Sequence, residues 1–162
     1  TNDTRIILGA IPIIQNVYGS ERNDLKSLVN LNIQAVLSVT EIFENNSSGY
    51  IYSPITPNDW RLANIKHFQI PCSDYCSMHL EMIQKGVEFI HWNIKNGRSI
   101  YVHCKSGKSR SFLIIVAYFV KYMNYTVENS MEYIKLKRIQ AGFGKNSKKM
   151  IILKEFESFF RK

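Results

Sequence analysis

Hydrophobic positions fall into four short runs and several longer helical stripes. Arg5–Gly9, Ala35–Val39, His67–Ile70 and Ile100–His103 are brief and apolar, which predicts buried strands. Met78–Lys95 carries Leu80, Ile83, Val87, Ile90 and Ile94 at spacings of three and four, so one helix face is apolar, and Asn96-Gly97 stops it. Asp24–Leu31 predicts a short helix. Arg110–Met123 is apolar nearly all round and predicts a buried helix. Thr126–Arg138 opens on Thr126, an N-cap candidate, and Ser147–Phe160 predicts a last helix. Strands alternating with helices predict an α/β fold with a central, mostly parallel sheet flanked by helices. Asn45–Asp59, rich in Asn, Ser and Pro, reads as a long loop, and such loops often carry function.

The 162 residues suit one domain spanning 1–162, with no repeat, low-complexity tract or linker. The longest apolar run, Phe112–Val120, is nine residues, and a bilayer-spanning helix needs about 20. No secretory signal is visible. The chain begins at Thr1 rather than Met, so a removed N-terminal segment is expected.

Charge divides the chain. Residues 1–94 carry a net −3 and residues 95–162 a net +11, within an overall +8. A basic half points to an anionic partner: a phosphorylated substrate, nucleic acid or an acidic membrane face. For any one of these lysines a solvated surface is an equal reading. The three cysteines, Cys72, Cys76 and Cys104, are an odd count, which favours a reducing compartment over a disulfide framework. Cys72 and Cys76 lack the further ligands a zinc site needs and read as small half-buried hydrophobes.

The stretch Ile100–Ser111, IYVHCKSGKSRS, carries the chemistry. A strand ends at His103, a turn follows through Cys104, Lys105, Ser106, Gly107, Lys108 and Ser109, and Arg110 and Ser111 open a helix. Strand, glycine-bearing turn and helix N-terminus together make an anion site, with backbone N–H groups turned inward. A free thiol with pKa near 8.5 is only about 3% ionised at pH 7. A helix N-terminus and nearby cations lower it to roughly 4–7, which makes Cys104 a nucleophile facing bound phosphate. Arg110 can return over the loop and bond two phosphate oxygens. Gly107 permits the tight turn, and His103 and Ser111 can position the sulfur. A nucleotide P-loop is excluded, because it needs Gly at position 102, which is Val.

These residues resemble the cysteine phosphatase superfamily, whose signature is His-Cys, five residues, Arg, then Ser or Thr. The resemblance implies a compact dual-specificity phosphatase fold, a phosphocysteine intermediate, no metal or cofactor, and an aspartate general acid on a separate loop. Asp74 stands thirty residues before Cys104, the separation of the dual-specificity branch, directly after a strand. Asp59, in the long loop, is the alternative.

Further stretches resemble the mitochondrial phosphatidylglycerophosphate phosphatases of that branch: Leu8–Pro12 (LGAIP), Ser38–Glu44 (SVTEIFE), Asp59-Trp60, Gln84–Ile90 (QKGVEFI) and Leu153–Phe156 (LKEF). Glu41 and Glu44 match the first and last glutamates of that family's acidic loop, which hydrogen-bond the phosphate-loop arginine. Ile42 and Phe43 depart from it. A second departure is Gln140–Lys149, where the family has an Arg-Pro element and this segment has neither residue.

The resemblance implies hydrolysis of phosphatidylglycerophosphate to phosphatidylglycerol, on the way to cardiolipin, by an enzyme peripheral to the matrix side of the mitochondrial inner membrane. Cytoplasmic placement is the alternative. Lys105 and Lys108 supply counter-charge for such a headgroup or else only tune Cys104. An anionic phospholipid partner, peripheral membrane contact through basic residues and exposed aromatics, a monomer and no nucleic-acid partner are expected. Dual-specificity protein phosphatase and phosphoinositide phosphatase are the alternative activities. An RNA 5′-end phosphatase has a different loop filling, and a non-catalytic phosphate-binding module would lack Cys104, Asp74 or Arg110.

Overall fold

The computed structural model describes residues 4–16, 22–46, 52–74 and 78–161. Along the chain run β1 (Ile6–Gly9), β2 (Ile13–Asn16), α1 (Asp24–Asn30), β3 (Ile33–Thr40), α2 (Ile42–Asn46), β4 (Tyr52–Pro54), α3 (Pro57–Leu62), β5 (Lys66–Pro71), α4 (Leu80–Lys95), β6 (Ser99–His103), α5 (Arg110–Tyr122), α6 (Val127–Lys137) and α7 (Lys148–Phe160). The four runs expected as strands form one parallel sheet in the order β1-β6-β3-β5. The predicted α/β class with a mostly parallel sheet is what the chain adopts.

Side-chain alternation splits the sheet between two cores. Ala35, Leu37, Val39, Ile100 and Val102 face the larger core, against Ile83, Val87 and Ile90 of α4 and the buried helix α5, with Leu153 and Phe156 of α7 behind. Val36 and Tyr101 face the smaller core, with Leu28 of α1 and Trp60 of α3. The stripe read from the α4 sequence is therefore its buried face. Thr126 and Ser147 cap α6 and α7 by accepting from Asn129 N and Met150 N, at 3.0 and 3.3 Å.

The expected long loop Asn45–Asp59 is corrected. It contains β4, antiparallel to β2, and runs into α3. Thr56 and Asp59 form a capping box around Pro57: Asp59 Oδ2 accepts from Thr56 N at 2.8 Å, and Thr56 Oγ1 accepts from Asp59 N at 3.3 Å. Asp59 is thus engaged as a helix cap. Among the described residues no helix is long and apolar enough to cross a membrane.

Because all four sheet strands are parallel, their carboxyl ends lie on one edge: Gly9, Thr40, Pro71 and His103. Open α/β sheets bind ligands outside that edge. The segments following these strands are Ala10–Ile11, the acidic turn at Glu41–Glu44, Cys72–Asp74 and the Cys104 loop.

Candidate active site

The loop from Cys104 to Ser109 is held from outside through successive carbonyl oxygens. His103 Nδ1 lies 3.2 Å from Cys104 O. Ile11 N, just past β1, donates to Lys105 O at 3.0 Å. Arg138, at the end of α6, donates from Nε to Gly107 O at 3.0 Å and from Nη2 to Ser106 O at 3.5 Å. Gly142 N donates to Lys108 O at 2.8 Å, and Leu113 N to Ser109 O at 3.0 Å. In a trans peptide N–H and C=O point in opposite directions, so these outward bonds turn the loop's N–H groups to its centre. Gly107 has φ +66, and a Cβ there would collide with Gly9 O. Only glycine meets both the left-handed backbone and that close approach to the end of β1.

Cys104 is 1% exposed. Ser111 Oγ donates to its sulfur at 3.2 Å. Burial pushes the thiol pKa up. The Ser111 hydroxyl, the N–H groups of Ser111 and Ser109 and the Arg110 charge outweigh that and bring it below the usual thiol value. The helix N-terminus and cation inferred from sequence therefore converge on the sulfur.

Arg110 is also 1% exposed, and its partners come from the segments after two strands, β3 and β5. Nη1 donates to Glu44 Oε2 at 2.8 Å and to Cys72 O at 2.7 Å, and Nη2 to Glu44 Oε1 at 3.4 Å. Nε lies 3.1 Å from Asp74 Oδ1. That pair is close in distance but poorly aligned, so Nε has no hydrogen-bond acceptor among the described residues. Burial raises the Glu44 pKa, but bonds from Arg110 and from the Glu41 N–H, with the charges of Arg110 and Lys105, bring it below the usual carboxylate value. Arg110 is held charged in turn, chiefly by Glu44 against the cost of its own burial.

The acidic turn differs in one respect from the expectation. Glu44 reaches Arg110, whereas no hydrogen bond joins the Glu41 carboxylate to it among the described residues. Glu41 contributes its backbone N–H, which donates to Glu44 Oε2 at 2.8 Å. Asp74 sits at the mouth, 51% exposed at its side chain, with its own carbonyl accepting from Lys149 Nζ at 3.4 Å. Lys105, Ser106 and Lys108 are exposed on the outer loop, and Ser109 is half-buried. Cys72 is buried beside the site, and Cys76 lies outside the described residues. Among the described residues no three His, Cys, Asp or Glu side chains group as a metal site.

Two features escaped the sequence reading. One is Arg138, just before the Gln140–Lys149 segment that lacks the Arg-Pro element. The other is a buried chain behind His103. Its Nδ1 faces a carbonyl, which only accepts, so Nδ1 carries the proton. Ser38 Oγ then donates to His103 Nε2 at 2.7 Å and accepts from His67 Nε2 at 2.9 Å. Burial pushes both imidazoles down to about 4, so both are neutral near pH 7. Alternation on β3, β5 and β6 places the three side chains together, a long-range register that local sequence does not display.

Residues 17–159 match the family described as "Dual specificity phosphatase, catalytic domain". The chain is 32% identical over 131 residues to the phosphatidylglycerophosphate phosphatase PTPMT1 of Arabidopsis thaliana, covering 80% of this chain and 34% of that protein. It is 27% identical over 156 residues to the phosphatidylglycerophosphatase and protein-tyrosine phosphatase 1 of Mus musculus, covering 95% of this chain and 73% of that protein. The chain thus spans about a third of the plant relative's length. The crystal structure of PTPMT1 in complex with PI(5)P superposes with a TM-score of 0.79 at 24% identity, covering 98% of this chain and 94% of that one, a likeness of fold.

Ser111→Ala removes a donor that favours the thiolate. The pH midpoint of Cys104 alkylation by iodoacetamide should move upward, and turnover should fall about tenfold or more, from the worth of a hydrogen bond to a charged group. An unmoved midpoint would remove Ser111 from sulfur activation. Glu44→Gln leaves Arg110 buried without its countercharge, and urea unfolding at neutral pH should show a loss of about 3 kcal/mol. Because the folded Glu44 pKa is depressed, its stabilisation is present above the unfolded value and lost as pH falls through the folded one. The gap between wild type and Glu44→Gln should therefore close in acid.

Proposed function

The chain belongs to the dual specificity phosphatase family, and on that premise we propose that it hydrolyses phosphatidylglycerophosphate through a phosphocysteine intermediate. The observation that carries the chemistry is the activated Cys104 sulfur, at the base of a loop whose N–H groups turn inward and beside a buried, countercharged Arg110.

In this reading the terminal phosphate binds to the N–H groups of residues 105–110 and to Arg110. It displaces the Asp74 carboxylate from Arg110 Nε, and Asp74 takes up a proton from solvent and turns to the leaving oxygen. The Cys104 thiolate attacks phosphorus. The S–P bond forms, the bond from phosphorus to the glycerol oxygen breaks, and the Asp74 carboxyl proton passes to that oxygen. Water then attacks the phosphocysteine and gives its proton to the Asp74 carboxylate. The S–P bond breaks, releasing inorganic phosphate and restoring the thiolate. His103, with Ser38 and His67 behind it, fixes the carbonyl of Cys104. Glu44 aims Arg110, with Glu41 aligning Glu44.

Two things support a lipid substrate. The plant and mouse relatives carry that activity in their names. Lys105 and Lys108 stand exposed on the loop, where they offer countercharge to the phosphodiester that remains after the terminal phosphate leaves. The enzyme then meets the bilayer peripherally, as a monomer, and the resemblance to the mitochondrial branch supports placement at the matrix face of the inner membrane. The second reading, phosphotyrosine or phosphothreonine hydrolysis, is favoured by relatives such as the human dual specificity protein phosphatase 9.

Phosphate release from phosphatidylglycerophosphate vesicles, compared with phosphotyrosine and phosphothreonine peptides, separates the two. The lipid should win by about a hundredfold or more in kcat/KM, and Cys104→Ser should be inactive on all of them. A preference for peptides would sink the lipid reading alone. Activity retained by Cys104→Ser would sink the mechanism.

A further inference from the structure

The turn that leaves α6 places apolar side chains where the fold gains nothing from them. Ala141 N donates to Arg138 O at 2.9 Å, so Arg138–Ala141 is a tight turn with Ile139 and Gln140 at its corner. Corners of this kind favour Asn, Asp, Gly and Ser. Here Ile139 is 91% exposed, and Leu136, three residues before it, is 77% exposed. Leu136 and Ile139 converge with Phe143 and Met150 around one shallow depression, bordered by Lys135 and Lys145 and, on its α6 side, by Glu128 and Glu132.

This tip is fixed to the phosphate loop at two points. The side chain of Arg138 bonds Gly107 O and Ser106 O, and Gly142 N bonds Lys108 O. Whatever Ile139 touches is thereby held next to the site where the substrate phosphate binds. The charge of the segment is one-sided: residues 135–149 include Lys135, Lys137, Arg138, Lys145, Lys148 and Lys149 and no acidic residue. Of the two acidic residues at the α6 side of the depression, Glu128 is paired with Lys154 at 2.7 Å, so the basic side chains of residues 135–149 outnumber what remains.

We propose that the Arg138–Ala141 turn, together with Leu136, is an interfacial tip that seats the protein on an anionic bilayer. Exposed aliphatic side chains on a segment with a net positive charge combine the two terms of peripheral binding, apolar insertion and attraction to acidic headgroups. The surface rests on the lipid-substrate reading above and gives it a place. A headgroup in the bilayer reaches the Cys104 loop only if that loop lies at the membrane plane, and the bonds of Arg138 and Gly142 couple the tip to the loop. A protein partner for the same tip is the other outcome of the test.

The test is flotation of the full chain with phosphatidylcholine vesicles, with and without phosphatidylglycerol, at low and high salt. It compares wild type with Leu136→Ser/Ile139→Ser and with Ile139→Asn alone. Hydrolysis of soluble p-nitrophenyl phosphate is the second readout. Wild type should float only with the anionic vesicles and less so in high salt. The double variant should lose about tenfold or more in partition, Ile139→Asn should lose part of that, and p-nitrophenyl phosphate turnover should stay unchanged in both. Variants that float like wild type, or a wild type that ignores anionic vesicles at low salt, would overturn the proposal and leave the tip to a protein partner. Phosphatidylglycerol carries no phosphate monoester, so flotation is independent of turnover. A wild type that floats through this tip but releases no phosphate from phosphatidylglycerophosphate would sink the substrate reading and keep the surface.

Discussion

The outward pairing of the carbonyl oxygens from Cys104 to Ser109 is the constraint on which the site depends. Six successive carbonyls take partners from His103, Ile11, Arg138, Gly142 and Leu113. A polar backbone in a protein interior needs partners, and a loop that met this need from within would close on itself. By meeting it from β1, α6 and the segment after α6, the fold leaves a ring of N–H dipoles with no competing acceptor in the ring's own carbonyls. That preorganisation exists before any phosphate arrives. It also explains why Gly107 lies against Gly9, since the brace from β1 needs backbone-to-backbone approach.

The charges at the site follow from that arrangement. A buried thiol is expected to hold its proton, and here the N–H ring, the Ser111 hydroxyl and the Arg110 charge reverse the preference. A buried guanidinium would itself be costly alone, and Glu44 supplies its countercharge from the end of β3. Asp74 comes from the end of β5 and touches the remaining Nε from the solvent side. Nucleophile and clamp follow β6, the countercharge follows β3 and the proton carrier follows β5, and the parallel sheet brings those three ends to one edge.

Much of this was legible in the sequence, for physical reasons that also mark where legibility stops. β3 and β6 are buried on both faces, so they read as short apolar runs, and α4 carries a regular stripe because one face meets the core. The Cys104 loop was legible because its function needs fixed residue types at fixed spacing. The short pair β2 and β4 and the brief helices α2 and α3 were not, since a few residues cannot establish a period. In α3, Thr56, Pro57 and Asp59 did form a readable capping signal, and it lay inside a stretch taken for loop. Arg138 and the His67–Ser38–His103 chain are long-range acquaintances, made by topology alone. Glu41 illustrates a different limit: a matching residue type at a matching position contributes through its backbone, which sequence similarity cannot distinguish from a side-chain role.

The chemistry of the site stands on covalent phosphorylation of Cys104 during turnover. The most direct measurement is mass spectrometry of the peptide containing Cys104 after rapid acid quench of the Asp74→Ala variant reacting with p-nitrophenyl phosphate, whose good leaving group needs no proton. One phosphoryl group is expected on Cys104 during turnover and none in Cys104→Ser. Turnover with no phosphoryl group on Cys104 at any quench time, or one found on another residue, would contradict it.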